Sequence, residues 1–173
     1  MVARQDDVPA TAVPLDHRGA PGHSPALTKH PPKGDGVTEK PVVLFLCTHN
    51  AGRSLAASVL LDHYAQGRVD VRSAGSEPAD QLNPAVVAVL RERGLDPSRE
   101  FPKPLTDDAA RTADVIVTMG CGDACPFYPG KRYIDWELED PAGKPVEAVR
   151  PIVEDIDRRV QALLAELAGQ SEP

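Results

Sequence analysis

Short apolar runs that alternate with longer amphipathic stretches constrain the fold of this chain more than any other feature. The runs Val42–Leu46 and Asp114–Thr118 have the length and β-branched content of buried strands, and Val69–Ser73 and Arg132–Ile134 predict two more. Helical patterns separate the runs, over the ranges Leu55–Tyr64, Pro84–Arg93, Asp107–Thr112 and Val146–Ala168. Repeated strand–helix units predict an α/β fold, a four-stranded parallel sheet flanked by helices on both faces.

Three of these helices carry signals at their ends. Asn83 precedes Pro84 as an N-cap, and Gly94 follows the same helix as a stop. Thr106 is the expected N-cap of the short third helix, and Gly169 ends the long fourth one. The caps set the predicted helix boundaries.

The first 40 residues differ in composition from the rest. They contain six prolines, four glycines and no Phe, Tyr or Trp, and they show no strand or helix period. We therefore predict a disordered tail over 1–40 and a catalytic domain over 41–173. The widely spaced His17, His23 and His30 in this tail are interpreted as solvated side chains, not metal ligands.

Charge and cysteine content narrow the function. The net charge is −7, and residues 1–40 hold equal numbers of basic and acidic side chains, so the excess of acid belongs to the catalytic domain. This excludes nucleic acid as the expected partner. No run of about 18 apolar residues and no leader pattern occurs, which predicts a soluble, cytoplasmic protein without a membrane partner. An odd number of cysteines, three, favours thiol chemistry over a structural disulfide framework.

The stretch Cys47–Ser54 joins the first strand to the first helix. A loop of this kind turns successive backbone N–H groups and a helix N-terminus toward one point, which binds a tetrahedral oxyanion. Arg53 is expected to clamp two oxygens of that anion with its planar guanidinium. The predicted substrate-binding residues are Thr48, His49, Asn50, Ala51, Gly52 and Arg53. His49 is interpreted as a loop residue, and no metal site is predicted.

Cys47 lies at the base of this predicted anion site. The surrounding N–H dipoles, Arg53 and the Ser54 hydroxyl are expected to stabilise its thiolate, which makes Cys47 the predicted nucleophile. An inert, buried cysteine at a strand end is the alternative. The agreement of strand, small residues, Arg-Ser pair and helix favours the catalytic interpretation.

Cys121 and Cys125 follow the third predicted strand in a glycine-rich loop. Carboxyl ends of parallel strands meet at one sheet edge, so all three thiols can gather there. The pair is therefore a possible redox shuttle, and two ordinary loop cysteines are an equally open interpretation. A zinc site lacks further Cys or His ligands.

A leaving oxygen needs a proton, and the segment after the fourth strand offers carboxylates. Asp140 is the preferred general acid because Pro141 stiffens the loop that presents it. Asp135 is the alternative, and the sequence does not decide between them.

Together these motifs resemble the low-molecular-weight protein tyrosine phosphatase superfamily, and within it the arsenate reductases. The resemblance covers roughly 41–168 and is carried by Cys47–Ser54, Ser73–Gly75, Val117–Asp123 and Trp136–Gly143. It implies Cys47 as nucleophile, Arg53 as clamp, Ser54 as thiolate stabiliser, Asn50 as loop organiser and Asp140 as general acid.

The spacing of Cys121 and Cys125 departs from the thioredoxin-coupled branch, whose shuttle cysteines stand further apart. It is similar instead to actinobacterial arsenate reductases that use the small thiol mycothiol. The resemblance implies reduction of arsenate to arsenite through a Cys47–arsenic adduct, in arsenic detoxification. Mycothiol is then the co-substrate and mycoredoxin the partner, with no tightly bound cofactor.

Three alternatives stay open at this point. In the first, thioredoxin reduces a Cys121–Cys125 disulfide formed during the reaction. In the second, the protein is a phosphatase, although the paired tyrosines typical of that branch are absent after Asp140-Pro141. In the third, it is a non-catalytic oxyanion-binding module, which has no need of the sulfur.

Overall fold

The computed structural model of the protein describes residues 39–122 and 125–170. The predicted tail therefore lies, apart from its last two residues, outside the described part of the chain. The four strands are β1 (Val42–Cys47), β2 (Asp70–Gly75), β3 (Val115–Thr118) and β4 (Arg132–Asp135). The four helices are α1 (Arg53–Ala65), α2 (Pro84–Glu92), α3 (Asp107–Thr112) and α4 (Val146–Gly169).

The strands form one parallel sheet in the order β2-β1-β3-β4. β1 is therefore central, paired with β2 on one side and β3 on the other, and it is buried along almost its whole length. The predicted four-stranded parallel sheet is confirmed. The second strand extends further than the sequence pattern predicts, because Ala74 and Gly75 continue the ladder opposite Leu46 and Cys47.

Alternate residues of β1 enter two separate cores. Val43, Phe45 and Cys47 belong to the larger cluster, which packs against α1, α2 and α4. Leu44 and Leu46 belong to the smaller cluster, on the face covered by α3. Helices on both faces of the sheet are thus confirmed, and the period of two along β1 assigns each side chain to its face.

The predicted helix caps are present. The Asn83 side chain accepts hydrogen bonds at the start of α2, and the Thr106 hydroxyl accepts one from the Ala109 N–H at the start of α3. Gly94, just after α2, adopts a φ of 78°, a left-handed conformation that glycine enters without steric cost. Among the described residues, no helix has the length and apolar content needed to cross a bilayer.

Candidate active site

The loop between β1 and α1 is held by its carbonyl groups. Backbone N–H groups of the segment 76–83 bind these carbonyl oxygens, in the pairs Ser76 to Cys47 (3.2 Å), Glu77 to Thr48 (2.8 Å), Ala79 to His49 (3.0 Å) and Asn83 to Ala51 (2.8 Å). In a trans peptide the N–H points away from the C=O of the same unit. The N–H groups that follow these carbonyls therefore turn toward the inside of the loop.

The start of α1 adds to this set of inward N–H groups. Its N-cap residue is Gly52, which has no side chain. Among the described residues, no side chain of the N-cap therefore accepts a hydrogen bond from the first N–H groups of α1. They are available to an anion, which the helix dipole also favours. The loop packs directly against Gly75, where only glycine leaves enough room: a Cβ at this position would lie 2.7 Å from the Thr48 carbonyl oxygen. The arrangement can bind a tetrahedral oxyanion.

Asn50 is the organising residue of this loop. It is fully buried and adopts a left-handed φ of 48°, which asparagine tolerates better than most residues. Its Oδ1 accepts the Lys103 N–H at 2.8 Å and its Nδ2 donates to Ser54 Oγ at 2.8 Å. The side chain therefore ties the loop to the segment beyond α2 and to α1.

The Cys47 sulfur lies at the base of the loop, 2% exposed. The Asn50 backbone N–H donates to Sγ at 3.2 Å, and the Ser54 hydroxyl lies 2.9 Å from it. Because Ser54 Oγ already accepts from the Asn50 amide, its own proton is free to point at the sulfur. The backbone N–H of Asn50 and the hydroxyl of Ser54 thus both lie within hydrogen-bond distance of this sulfur.

Arg53 is largely buried, and its guanidinium lies against the loop after β3. A Cβ at Gly120, where φ is 78°, would lie 2.5 Å from Arg53 Nη1. The missing side chain is what admits the guanidinium. On the other side, Arg53 Nη2 lies 3.7 Å from Asp140 Oδ2. The clamp predicted from the sequence is thus held between the loops that follow β3 and β4.

A small cavity of about 30 Å³ opens above Cys47. Its lining residues are Cys47, His49, Ala51, Gly52, Arg53, Asn83, Asp140, Pro141 and Ala142. Asp140 is half exposed, and its Oδ1 accepts the Ala142 N–H at 3.1 Å. Asp135 instead accepts the Thr118 hydroxyl at 2.7 Å, at the end of β4. Of the two candidate acids, Asp140 is the one that lines the cavity.

Two residues in this arrangement were not predicted as part of the site. Asn83 was expected only as a helix cap, yet its Nδ2 also donates to the Pro141 carbonyl at 3.2 Å. Gly120 was expected only as part of a flexible loop, yet it borders the Arg53 guanidinium. The sequence offers no sign of either contact, because each joins residues more than 50 positions apart.

Cys121 and Cys125 are joined by a disulfide, with 5.8 Å between their Cα atoms. Cys121 is buried in the smaller core cluster, to which Leu46 also belongs, and Cys125 is half-buried. Cys47 belongs to the larger cluster on the other face of the sheet. The structure thus brings together two of the three thiols, and the approach of Cys121 to Cys47 stays a prediction.

No group of three or more His, Cys, Asp or Glu side chains that could hold a metal ion occurs within residues 39–122 and 125–170. His49 lines the cavity mouth as part of the oxyanion loop.

A parallel sheet, a cysteine beneath an oxyanion loop and an arginine in that loop define a class of phosphatase-like proteins. The family model described as low molecular weight phosphotyrosine protein phosphatase matches residues 42–172, and the chain belongs to that family.

Several similar proteins are named as arsenate reductases. A Corynebacterium glutamicum structure described as a thioredoxin-dependent arsenate reductase is 50% identical, has a TM-score of 0.70, and aligns over 79% of this chain and 66% of its own. An Archaeoglobus fulgidus arsenate reductase is 34% identical with a TM-score of 0.61, over 71% of this chain and 98% of its own. A Synechocystis protein named glutaredoxin arsenate reductase is 30% identical over 73% of this chain and 98% of its own.

Proposed function

We propose that this protein reduces arsenate to arsenite. The observation that carries the proposal is the combination of Cys47 at the base of the loop before α1 with a second pair of cysteines, Cys121 and Cys125, after the neighbouring strand β3. A phosphatase needs only the first of these features. The relatives named as arsenate reductases support the same activity.

The first step is attack of the Cys47 thiolate on arsenic. An S–As bond forms and an As–O bond breaks, while Asp140 gives its proton to the departing oxygen, which leaves as water. Arg53 and the loop N–H groups bind the remaining oxygens throughout.

The second step transfers two electrons from sulfur to arsenic. The Cys121 thiolate attacks Cys47 Sγ, the S–As bond breaks with its electron pair on arsenic, and arsenite leaves. Cys125 then attacks Cys121, which releases Cys47 as a thiolate and leaves the Cys121–Cys125 disulfide. An external dithiol protein reduces that disulfide and completes the cycle.

Two features support this internal route over the mycothiol route favoured by the cysteine spacing. The two cysteines are close enough to be bonded in the structure, and the relative that is 50% identical is described as thioredoxin-dependent. In the mycothiol route, mycothiol attacks the Cys47–arsenic adduct and a mycoredoxin releases arsenite, so Cys121 and Cys125 take no part.

Replacement of the two shuttle thiols distinguishes the routes. We expect Cys121→Ser and Cys125→Ser each to abolish steady-state arsenite release with thioredoxin and its reductase, because each breaks the relay. The arsenite formed from arsenate is quantified for each variant, first with thioredoxin and its reductase and then with mycothiol plus mycoredoxin. Unchanged turnover of both variants with mycothiol would establish the mycothiol route and refute the internal one.

The alternative function is a phosphatase, which the shared Cys47, Arg53 and Asp140 arrangement favours. The described lining of the cavity contains no Phe, Tyr or Trp to hold a substrate ring, which favours a bare anion. Hydrolysis of an aryl phosphate at a rate comparable with arsenate turnover would reverse this ranking.

A further inference from the structure

We propose that Asn83 is a positioning residue that holds the Asp140 carboxylate over Cys47. The inference rests on the proposed function in one respect, which is that the leaving oxygen needs a proton donor. Arsenate and phosphate chemistry share that requirement, so the two proposals can fail separately.

Asn83 makes hydrogen bonds to three parts of the site at once. Its backbone N–H donates to the Ala51 carbonyl in the oxyanion loop at 2.8 Å. Its Oδ1 accepts the Ala85 and Val86 N–H groups at 2.9 and 3.3 Å, which caps α2. Its Nδ2 donates to the Pro141 carbonyl at 3.2 Å, next to the acid.

The side chain must therefore accept and donate at the same time. A carboxylate in the same place would keep the cap but has no proton to donate, and serine also caps helices well but is one atom shorter. An asparagine that serves only as a cap has no need of its Nδ2. The bond to Pro141 is the part of the arrangement that capping does not explain.

Asp140 has few other restraints on its position. The carboxylate is 51% exposed, and the one hydrogen bond it accepts from the described residues comes from the nearby Ala142 N–H. The Arg53 guanidinium lies 3.7 Å away, beyond hydrogen-bond distance. The next residue, Pro141, is seated against the oxyanion loop, since a Cβ at Gly52 would lie 2.7 Å from its Cγ. Asn83 fixes the carbonyl of that same proline.

Loss of the Nδ2 donor should thus release the acid without disturbing the anion site. The bond from the Asn83 backbone to Ala51 does not depend on the side chain, so the loop keeps its shape. A small displacement of a catalytic group reduces the rate much more than it reduces binding. The expected result is a lower kcat with unchanged oxyanion affinity.

The test uses Asn83→Asp, Asp140→Asn and the double variant in the full-length protein. We expect Asn83→Asp to lower kcat for arsenate about tenfold, a fraction of the ~100-fold or greater contribution of a general acid. In Asn83→Ser, which adds no charge to the cavity lining, the inhibition constant of inorganic phosphate should stay within about twofold. The double variant should be no slower than Asp140→Asn alone, because a residue that acts through the acid has no effect once the acid is gone. Asn83→Ser, which adds no charge, should repeat the kcat loss.

Thr106→Ala is the matched control, since it removes the N-cap of α3 away from the cavity. It should lower the melting temperature as capping losses do and leave kcat unchanged. The positioning role would be overturned if the kcat losses of the two single variants multiplied in the double variant. It would also be overturned if the inhibition constant of phosphate for Asn83→Ser rose as much as kcat fell.

The same variants are also measured on an aryl phosphate with a poor leaving group, which needs the acid equally. If the wild-type protein hydrolyses that ester but reduces no arsenate, the proposed function fails, and the ester series alone decides the role of Asn83.

Discussion

The loops that follow β1 and β3 begin at the same edge of the sheet but are fixed by different kinds of contact. The first, 48–52, is fixed by three backbone hydrogen bonds from the segment 76–83 and by the buried side chain of Asn50. The second, 119–131, carries the Cys121–Cys125 disulfide, and among its described residues the N–H of Tyr128 donates to the hydroxyl of the Tyr133 side chain.

Under the proposed function, the two loops have different chemical tasks. An oxyanion loop stabilises charge best when its donors are already in place, so rigidity favours catalysis. A relay thiol must bond in turn to Cys47 and to Cys125, which requires movement of the loop that carries it. Gly120 belongs to the second loop but borders the guanidinium of Arg53, the helical residue that directly follows the first loop. The two segments therefore meet at Gly120.

The largest expected effect comes from the sulfur of the rigid loop. We expect Cys47→Ser to reduce arsenite release by at least about 10⁴-fold, because no other group can form the arsenic adduct. Phosphate binding, measured by calorimetry, should persist, since Arg53 and the loop N–H groups remain. Retained arsenate turnover would show that the site binds oxyanions without using the thiol.

Gly120→Ala tests the point where the loops meet. The new Cβ would displace the Arg53 guanidinium, so we expect the KM for arsenate to rise about tenfold, as when part of a charge-assisted bidentate contact is lost. Gly122→Ala is the matched control: it also lies in a positive-φ position, 53°, but its Cβ meets no atom of the described residues within 4 Å. An equal rise in both variants would assign the effect to backbone strain instead.

Tyr128→Phe should give the smallest effect and act on stability alone. The Tyr128 hydroxyl donates to the Asp107 carboxylate, which raises the pKa of Tyr128 above its ordinary value of about 10. A raised pKa means that the stabilisation is fully present below about pH 10 and is lost as the pH rises through the folded-state pKa. We expect a slightly lower melting temperature at pH 7, a difference that disappears at strongly alkaline pH, and an unchanged KM. A changed KM would mean that the second loop also shapes the anion site.

Most of the fold could be predicted because local signals and packing agree. The strand at Val42–Leu46, the caps Asn83 and Thr106 and the parallel direction of the strands all follow from local patterns along the sequence. The end of β2 was missed by two residues, since Ala74 and Gly75 have low strand propensity and are held there by pairing with β1.

The sequence by itself determined the oxyanion loop, because a strand end, small residues, Arg53 and a helix start lie within one continuous segment. Only the tertiary structure decided which carboxylate lines the cavity. Asp140 and Asp135 stand five residues apart in the same polar segment, and the choice depends on Pro141 packing on Gly52 and on the Asn83 bond. Contacts between residues so distant in sequence arise only when the sheet brings its strand ends together.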